Sequence, residues 1–140
     1  MNTLEIVVLG PDGPPRMMLE DTVRRLGHIA SSASPTDAHA PVHGDVLMLD
    51  LRAEDRGWGD LTSELLEDER PLVIVADQPR RMVRTLAGRP GGTLLLTGAE
   101  NDGGYRVALS LCEALHRSLR RPARATSNGV VGRLQNLAVS

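Results

Sequence analysis

Short uninterrupted apolar runs alternate along the chain with segments whose apolar residues recur at helical spacing. The runs are IVVL (6–9), VLML (46–49), LVIVA (72–76) and TLLL (93–96), with a weaker HIASSAS at 28–34. Each is short and rich in Leu or β-branched residues, which suits strands buried on both faces of a sheet. Between the first two strong runs, Leu19, Val23 and Leu26 stand at i, i+4 and i+7, and Gly27 follows as a stop. Leu61, Leu65 and Leu66 mark a short helix after a loop around Trp58, and Met82, Val83 and Leu86 mark another, opened by Gln78-Pro79. The clearest helix carries Ala108, Leu111, Leu115 and Leu119 as a stripe, with Asn101 or Asp102 to cap its start and Pro122 beyond its end. Strands and helices in alternation predict an α/β class fold: a three-layer α/β/α domain around a five-stranded parallel sheet. PTDAHAPV (35–42) is a poor helix within that series. From Pro122 the composition is that of a linker, and Val130, Leu134, Leu137 and Ala138 return to helical spacing. The expected division is therefore a domain over 1–121, with 122–140 a linker or the start of an output segment.

The length, 140 residues, suits one domain with one continuous core. Composition narrows its chemistry. With no Phe, one Trp and one Tyr, the core must be built from Leu, Val, Ala, Met and Ile, and the Met residues and Cys112 are expected inside it. All sixteen basic residues are Arg, so no mechanism needing a lysine amine or a P-loop is open to this chain. A net charge of −2 gives no overall electrostatic footprint for nucleic acid. A lone Cys112 makes neither an internal disulfide nor a zinc site and fits a reducing compartment. No apolar run reaches the roughly 20 residues of a membrane span, and MNTLEIVVLG lacks the basic start of a signal peptide. The expected location is the cytoplasm.

Candidate chemistry centres on Asp50, at the carboxyl end of the run VLMLD, because open parallel sheets do their chemistry at that edge. The plainer reading is a strand-end acid hydrogen-bonded to nearby backbone N–H groups; the other is a phosphate acceptor. His39 and His43, four apart, have the spacing of two metal ligands on a helix, but Pro35 and Pro41 argue for solvated loop histidines. Gly-Pro-Asp-Gly-Pro-Pro (10–15) lacks the G-x-G-x-x-G order and the N–H donors of a phosphate loop, so it reads as a rigid turn. Arg80, Arg81 and Arg84 precede or enter a helix, and Arg117, Arg120 and Arg121 end the last one, as solvated cations or as a partner surface.

DVLMLDLR, Arg16 with Leu19 following, and Pro71 opening PLVIVA together resemble the receiver domain of bacterial two-component response regulators over residues 4–121. The resemblance implies a flavodoxin-like sheet of order 2-1-3-4-5 and places Asp50 at the phospho-acceptor position. Other functional positions depart from the family's pattern. Gly10 and Pro11 stand where two acids hold Mg²⁺, and Asp12 falls one residue late. Ala76 replaces the switch hydroxyl, and Leu96 to Gly98, with Thr97 among them, replace the lysine that ends the fifth strand. The switch aromatic falls near Thr93. Phosphoryl transfer needs neutralised charge around the phosphate. Asp77, next to Ala76, would instead oppose it, by roughly 3 kcal/mol for unit charges about 6 Å apart at an effective dielectric of about 20.

The expectation is thus a degenerate receiver: a non-enzymatic signalling module, tied to transcription, that acts by protein–protein contact without aspartyl phosphorylation, cofactor or metal. Asp50 is its vestigial acceptor, and Gly10, Pro11, Asp12, Ala76, Asp77, Leu96 and Thr97 its vestigial pocket. Two alternatives stand beside it: a phosphorylatable receiver using Asp50 with altered metal ligands, and a flavodoxin-like domain that binds a small molecule at the sheet edge. The expected partners are a second copy and an output domain or protein, with neither nucleic acid nor membrane. The interface would use Arg80, Arg84, Tyr105, Glu113 and Arg117, with Glu100, Asp102 and Glu113 meeting arginines across a two-fold axis.

Overall fold

The computed structural model describes residues 3–33, 43–52 and 64–120. Ser34, residues 35–42 with His39, Trp58, Leu61, Arg121 and the segment 122–140 lie outside the described residues, as do the side chains of Met82 and Arg120.

Five strands form one parallel sheet in the order β2-β1-β3-β4-β5: β1 Glu5–Leu9, β2 Ile29–Ala33, β3 Val46–Asp50, β4 Leu72–Val75 and β5 Thr93–Leu96. The expected fold class and strand order are what the structure has. The two central strands β3 and β4 are buried along their whole length, as continuous apolar runs require, whereas the Ser-containing β2 lies at an edge and is half exposed. Helix α1 spans Pro14–Arg25; its two prolines stand in the first turn, where a missing N–H costs nothing. Residues 64–67 are helical and form α2. A 3-10 turn, Pro79–Met82, runs into α3, Val83–Leu86, and α4 spans Asp102–Arg120. Asn101 caps α4, its Oδ1 accepting the Gly104 N–H at 3.0 Å.

The sheet divides the core in two. On one face Leu19 and Val23 of α1 and Tyr105, Leu109 and Cys112 of α4 pack against Ile6, Val8, Met48, Val73 and Val75. On the other, Leu65 and Leu86 pack against Val7, Leu9, Leu47, Leu49, Leu72 and Ile74. Two expectations need correction here. The buried stripe of α4 is Tyr105, Ala108, Leu109 and Cys112, while Leu111 and Leu119 are exposed. The apolar surface of this helix is wider than its contact with the sheet, and the contact falls on the 105/109/112 side of it. Met17 and Met18 are not core but stand on the outer face of α1, 60 % and 65 % exposed. Met48 and Cys112 are inside as expected, and burial pushes the Cys112 thiol up to about 12, out of reach of thiolate chemistry.

Candidate functional site at the carboxyl edge of the sheet

Register assembles the edge. Leu9 pairs with Leu49 and Asp50 with Val75, which in turn pairs with Leu96. Gly10, Asp50, Ala76 and Thr97 therefore leave the sheet side by side, bringing the expected pocket residues together. The Asp50 side chain is only 1 % exposed. A carboxylate that deeply placed needs partners, and Arg52 supplies them. Its backbone N–H donates to Asp50 Oδ1 at 3.1 Å, its Nε to the same oxygen at 2.9 Å and its Nη2 to Oδ2 at 3.1 Å. Both oxygens are engaged by one planar fork, the geometry that makes an arginine–carboxylate pair strong. Hydrogen bonding to Asp50 in turn holds the Arg52 guanidinium above its ordinary pKa.

Arg52 reaches beyond Asp50. Nη2 also donates to the Pro15 carbonyl at 3.3 Å, in the first turn of α1. Its stem and Nη1 lie against Gly98, in the turn between β5 and α4, where φ is +90°. One side chain thus joins the end of β3, the first turn of α1 and the turn after β5. The expected backbone-bonded Asp50 is present, but the guanidinium is the larger part of its surroundings.

The same device occurs a second time. Arg70 grips Asp68 through its backbone N–H to Oδ1 (2.9 Å), Nε to Oδ1 (2.9 Å) and Nη2 to Oδ2 (2.6 Å). Burial pushes the Asp68 carboxyl up, and the hydrogen bonds from Arg70 outweigh it and hold the group below the usual range. This pair precedes β4, at the opposite edge of the sheet, where Arg70 also donates to the His43 carbonyl at 2.7 Å. Asp-x-Arg is therefore a local bracket that this chain forms at two turns, and at Asp68 it has no phospho-acceptor position to serve.

The other edge residues do not make a Mg²⁺ site. Gly10 has no side chain, and a Cβ there would stand 3.1 Å from the Asp50 Cβ, tighter than an unstrained contact. Pro11 carries no ligand atom. Asp12 is 90 % exposed and turned to Arg16, whose Nη2 donates to it at 2.9 Å. Arg16 Nη1 also donates to the Gly10 carbonyl at 3.0 Å, so the arginine closes the β1–α1 turn. With Asp50 gripped by Arg52 and Asp12 turned outward, the acids present do not fit the octahedral oxygen set of Mg²⁺. Asp77 is exposed and acts on Arg52 only through its field. Thr97 and Gly98 donate their N–H groups to the Glu100 carboxylate at 2.8 Å each, so Glu100 closes its own turn. Burial pushes the Glu100 carboxyl up, and those hydrogen bonds outweigh it.

The expected interface residues do not share one surface. Arg80, Arg84 and Arg117 are exposed, but Tyr105 is buried in the core beside β1 and β3 and offers no face to a partner, which corrects its assignment. Burial raises its hydroxyl above the ordinary pKa. Glu113 lies on the α1 flank of α4, lining a small depression with Leu26, His28 and Arg106. Asp102, expected to meet an arginine of a second copy, is bound at 2.9 Å by Arg25 of the same chain. Arg52 and Arg25 were the participants that the sequence reading missed, and Gly98 was placed at the edge without its role under Arg52. The two-residue spacing in DLR and DER was the signal available for Arg52.

No family model matches the chain, and no curated protein matches its sequence. Solved structures do match. The receiver (REC) domain of the Erythrobacter litoralis response regulator PhyR, determined by NMR in solution, is 18 % identical with a TM-score of 0.58, over 80 % of this chain and 91 % of that one. A fusion protein carrying the yeast Spc42 trimeric coiled coil is 10 % identical with a TM-score of 0.60, over 85 % of this chain and 82 % of that one. The chain has the receiver-like, flavodoxin-like fold. Among the described residues no helix is long and apolar enough to cross a membrane.

Proposed function

We propose that this chain is a degenerate receiver, a signalling module that controls an output partner through protein–protein contact and does so without aspartyl phosphorylation. The observation that carries the reading is the Asp50–Arg52 bracket. An acceptor carboxylate must present a free oxygen to phosphorus, with metal and cation ready to neutralise the transferred charge. Here both oxygens of Asp50 are donated to by Arg52, in a side chain 1 % exposed. The second bracket at Asp68 supports a structural origin for the arrangement rather than a catalytic one. The receiver-like fold supports the signalling class. The small-molecule alternative is disfavoured by Arg52 itself, which lies across the edge where a ligand would sit.

The test is labelling of the full chain with an isotopically marked acyl phosphate in the presence of MgCl₂. The expected result is no label above that of the Asp50→Asn variant, and no saturable Mg²⁺ response of Asp12 or Asp50 by NMR below millimolar concentration. Stoichiometric label on the wild type, absent from Asp50→Asn, would restore the phosphorylatable receiver.

A further inference from the structure

β2 forms one edge of the sheet, and its outer side is open. Ile29 donates its N–H to the Leu4 carbonyl and the Ala33 carbonyl accepts the Gly10 N–H, so Ile29, Ser31 and Ala33 turn their backbone groups toward β1. By the two-residue alternation of the ladder, Ala30 and Ser32 turn theirs away from the sheet. Among the described residues one bond reaches that side, from Arg24 Nη2 to the Ala30 carbonyl at 3.2 Å. Natural edges are blunted by charge, proline or a bulge. The strand IASSA has no charge and no proline, and Ile29 is 57 % exposed at its start.

This strand is complementary to itself. Laid antiparallel across a two-fold axis at Ser31, Ala30 stands opposite Ser32 of a second copy, and the two exchange N–H···O bonds on both sides of the axis. On the face shared with Val7 and Leu9, Ile29 meets Ala33 of the second copy, an exposed branched side chain against a small, half-buried one. Ser31 meets its own image as a non-hydrogen-bonded pair, where side chains come closest, and its Oγ is buried with no hydrogen-bond partner in one copy alone. The charges of α1 accept this placement. Arg24 is 53 % exposed, and Glu20 beside it is held by Arg16 at 3.4 Å. On leaving the Ala30 carbonyl, Arg24 comes to the Ala33 end of the second copy's strand, where Arg16 binds both that carbonyl and the exposed Asp12. A strand of another protein would satisfy the backbone equally; the matched Ile29–Ala33 and Ser31–Ser31 pairs favour a copy of this chain.

We infer that this protein pairs with a second copy edge to edge through β2, joining two five-stranded sheets into one continuous sheet. The contact uses neither β5 nor Asp50, so it holds whether or not Asp50 takes phosphate.

The test is sedimentation of the full chain over a range of micromolar concentrations. A dimer is expected, at least about tenfold weaker in Ser32→Pro, which removes an outward N–H at an edge position that tolerates proline, and in Ile29→Arg, which stands beside Glu5. Thermal unfolding of the variants checks that folding is unchanged. A second measurement uses cross-linking. Cys112 is buried and inert, so under oxidised glutathione Ser31→Cys should form a disulfide with its own image, because the Cα atoms of such a pair lie within disulfide reach. Arg84→Cys, between β4 and β5, should not. A monomeric wild type overturns the inference. So does a dimer that both Ser32→Pro and Ile29→Arg leave intact, or cross-linking of Arg84→Cys as fast as Ser31→Cys. If Ser32→Pro unfolds the chain, Ile29→Arg and the cross-link decide the question.

Discussion

Arg52 crosses directly over Gly98, so closely that a Cβ at position 98 would stand 2.8 Å from both its Cδ and its Nη1. The glycine also holds a φ of +90°, which disfavours any other residue. Gly98→Ala therefore meets two costs, backbone strain and displacement of the guanidinium, together about 2–3 kcal/mol. In an Arg52→Ala background the backbone strain and a 3.2 Å approach to Val75 Cγ1 remain, so the cost should fall to about 1–2 kcal/mol. Urea unfolding of the four proteins checks this; equal costs in both backgrounds would mean that Arg52 does not lie there.

Asp50 and Arg52 should be coupled energetically. The carboxylate is buried while the Arg52 side chain is 21 % exposed, so solvent shields the pair in part. Asp50→Asn and Arg52→Gln should each cost about 1–2 kcal/mol, with a coupling of about 1 kcal/mol in the double-mutant cycle. A coupling indistinguishable from zero would reduce the bracket to a surface contact.

His28 should make the fold acid-sensitive. It is 7 % exposed, and its Nδ1 accepts the Leu4 N–H at 3.1 Å, a bond only the unprotonated nitrogen can make. Burial lowers its pKa below the ordinary 6.5, against a raising influence from Glu113. The unfolded chain then binds the proton first, so stability is full above about pH 6.5 and falls as pH drops through the folded-state pKa. Denaturant unfolding between pH 7.5 and 5.5 should show that loss, and His28→Gln should flatten it. An unchanged slope in the variant would assign the effect elsewhere.

Arg89 should be a stability residue without a functional role. It is 8 % exposed; Nε donates to the Leu65 carbonyl at 2.6 Å and Nη1 to the Gly92 carbonyl at 2.9 Å, tying α2 to the start of β5. Burial lowers its pKa, and the field of Asp68 offsets part of that. Arg89→Ala takes one of two donors from each carbonyl, since the Asp68 N–H still reaches the Leu65 carbonyl and the Leu72 N–H the Gly92 carbonyl, and it opens a cavity, for an expected loss of about 2–3 kcal/mol. Thermal unfolding decides it, and a loss below about 1 kcal/mol would mean that water replaces the guanidinium freely.

The order of strands and helices was legible because the apolar period of each segment is a local property. Runs such as VLML and LVIV are apolar at every position, which only a strand covered on both faces tolerates. Asp50 was legible as the acid ending such a run, and its Arg52 bracket is local too, spanning two residues. What the chain alone left open was which neighbour each surface meets. α4 is apolar around much of its circumference, and only its seat against β1 and β3 selects Tyr105, Leu109 and Cys112 over Leu111. Met17 and Met18 look like core residues until α1 docks with Leu19 and Val23 inward. Arg89 gives no sequence sign of burial, because its partners are carbonyls 24 and 3 residues away. Gly98 is needed for its own φ of +90°, and the tertiary structure adds a second reason when the Arg52 side chain, from the turn after β3, crosses it. Periodicity fixes a segment's conformation and its candidate faces; the distances between segments, set by packing the whole sheet, fix which candidates are buried and which charges meet.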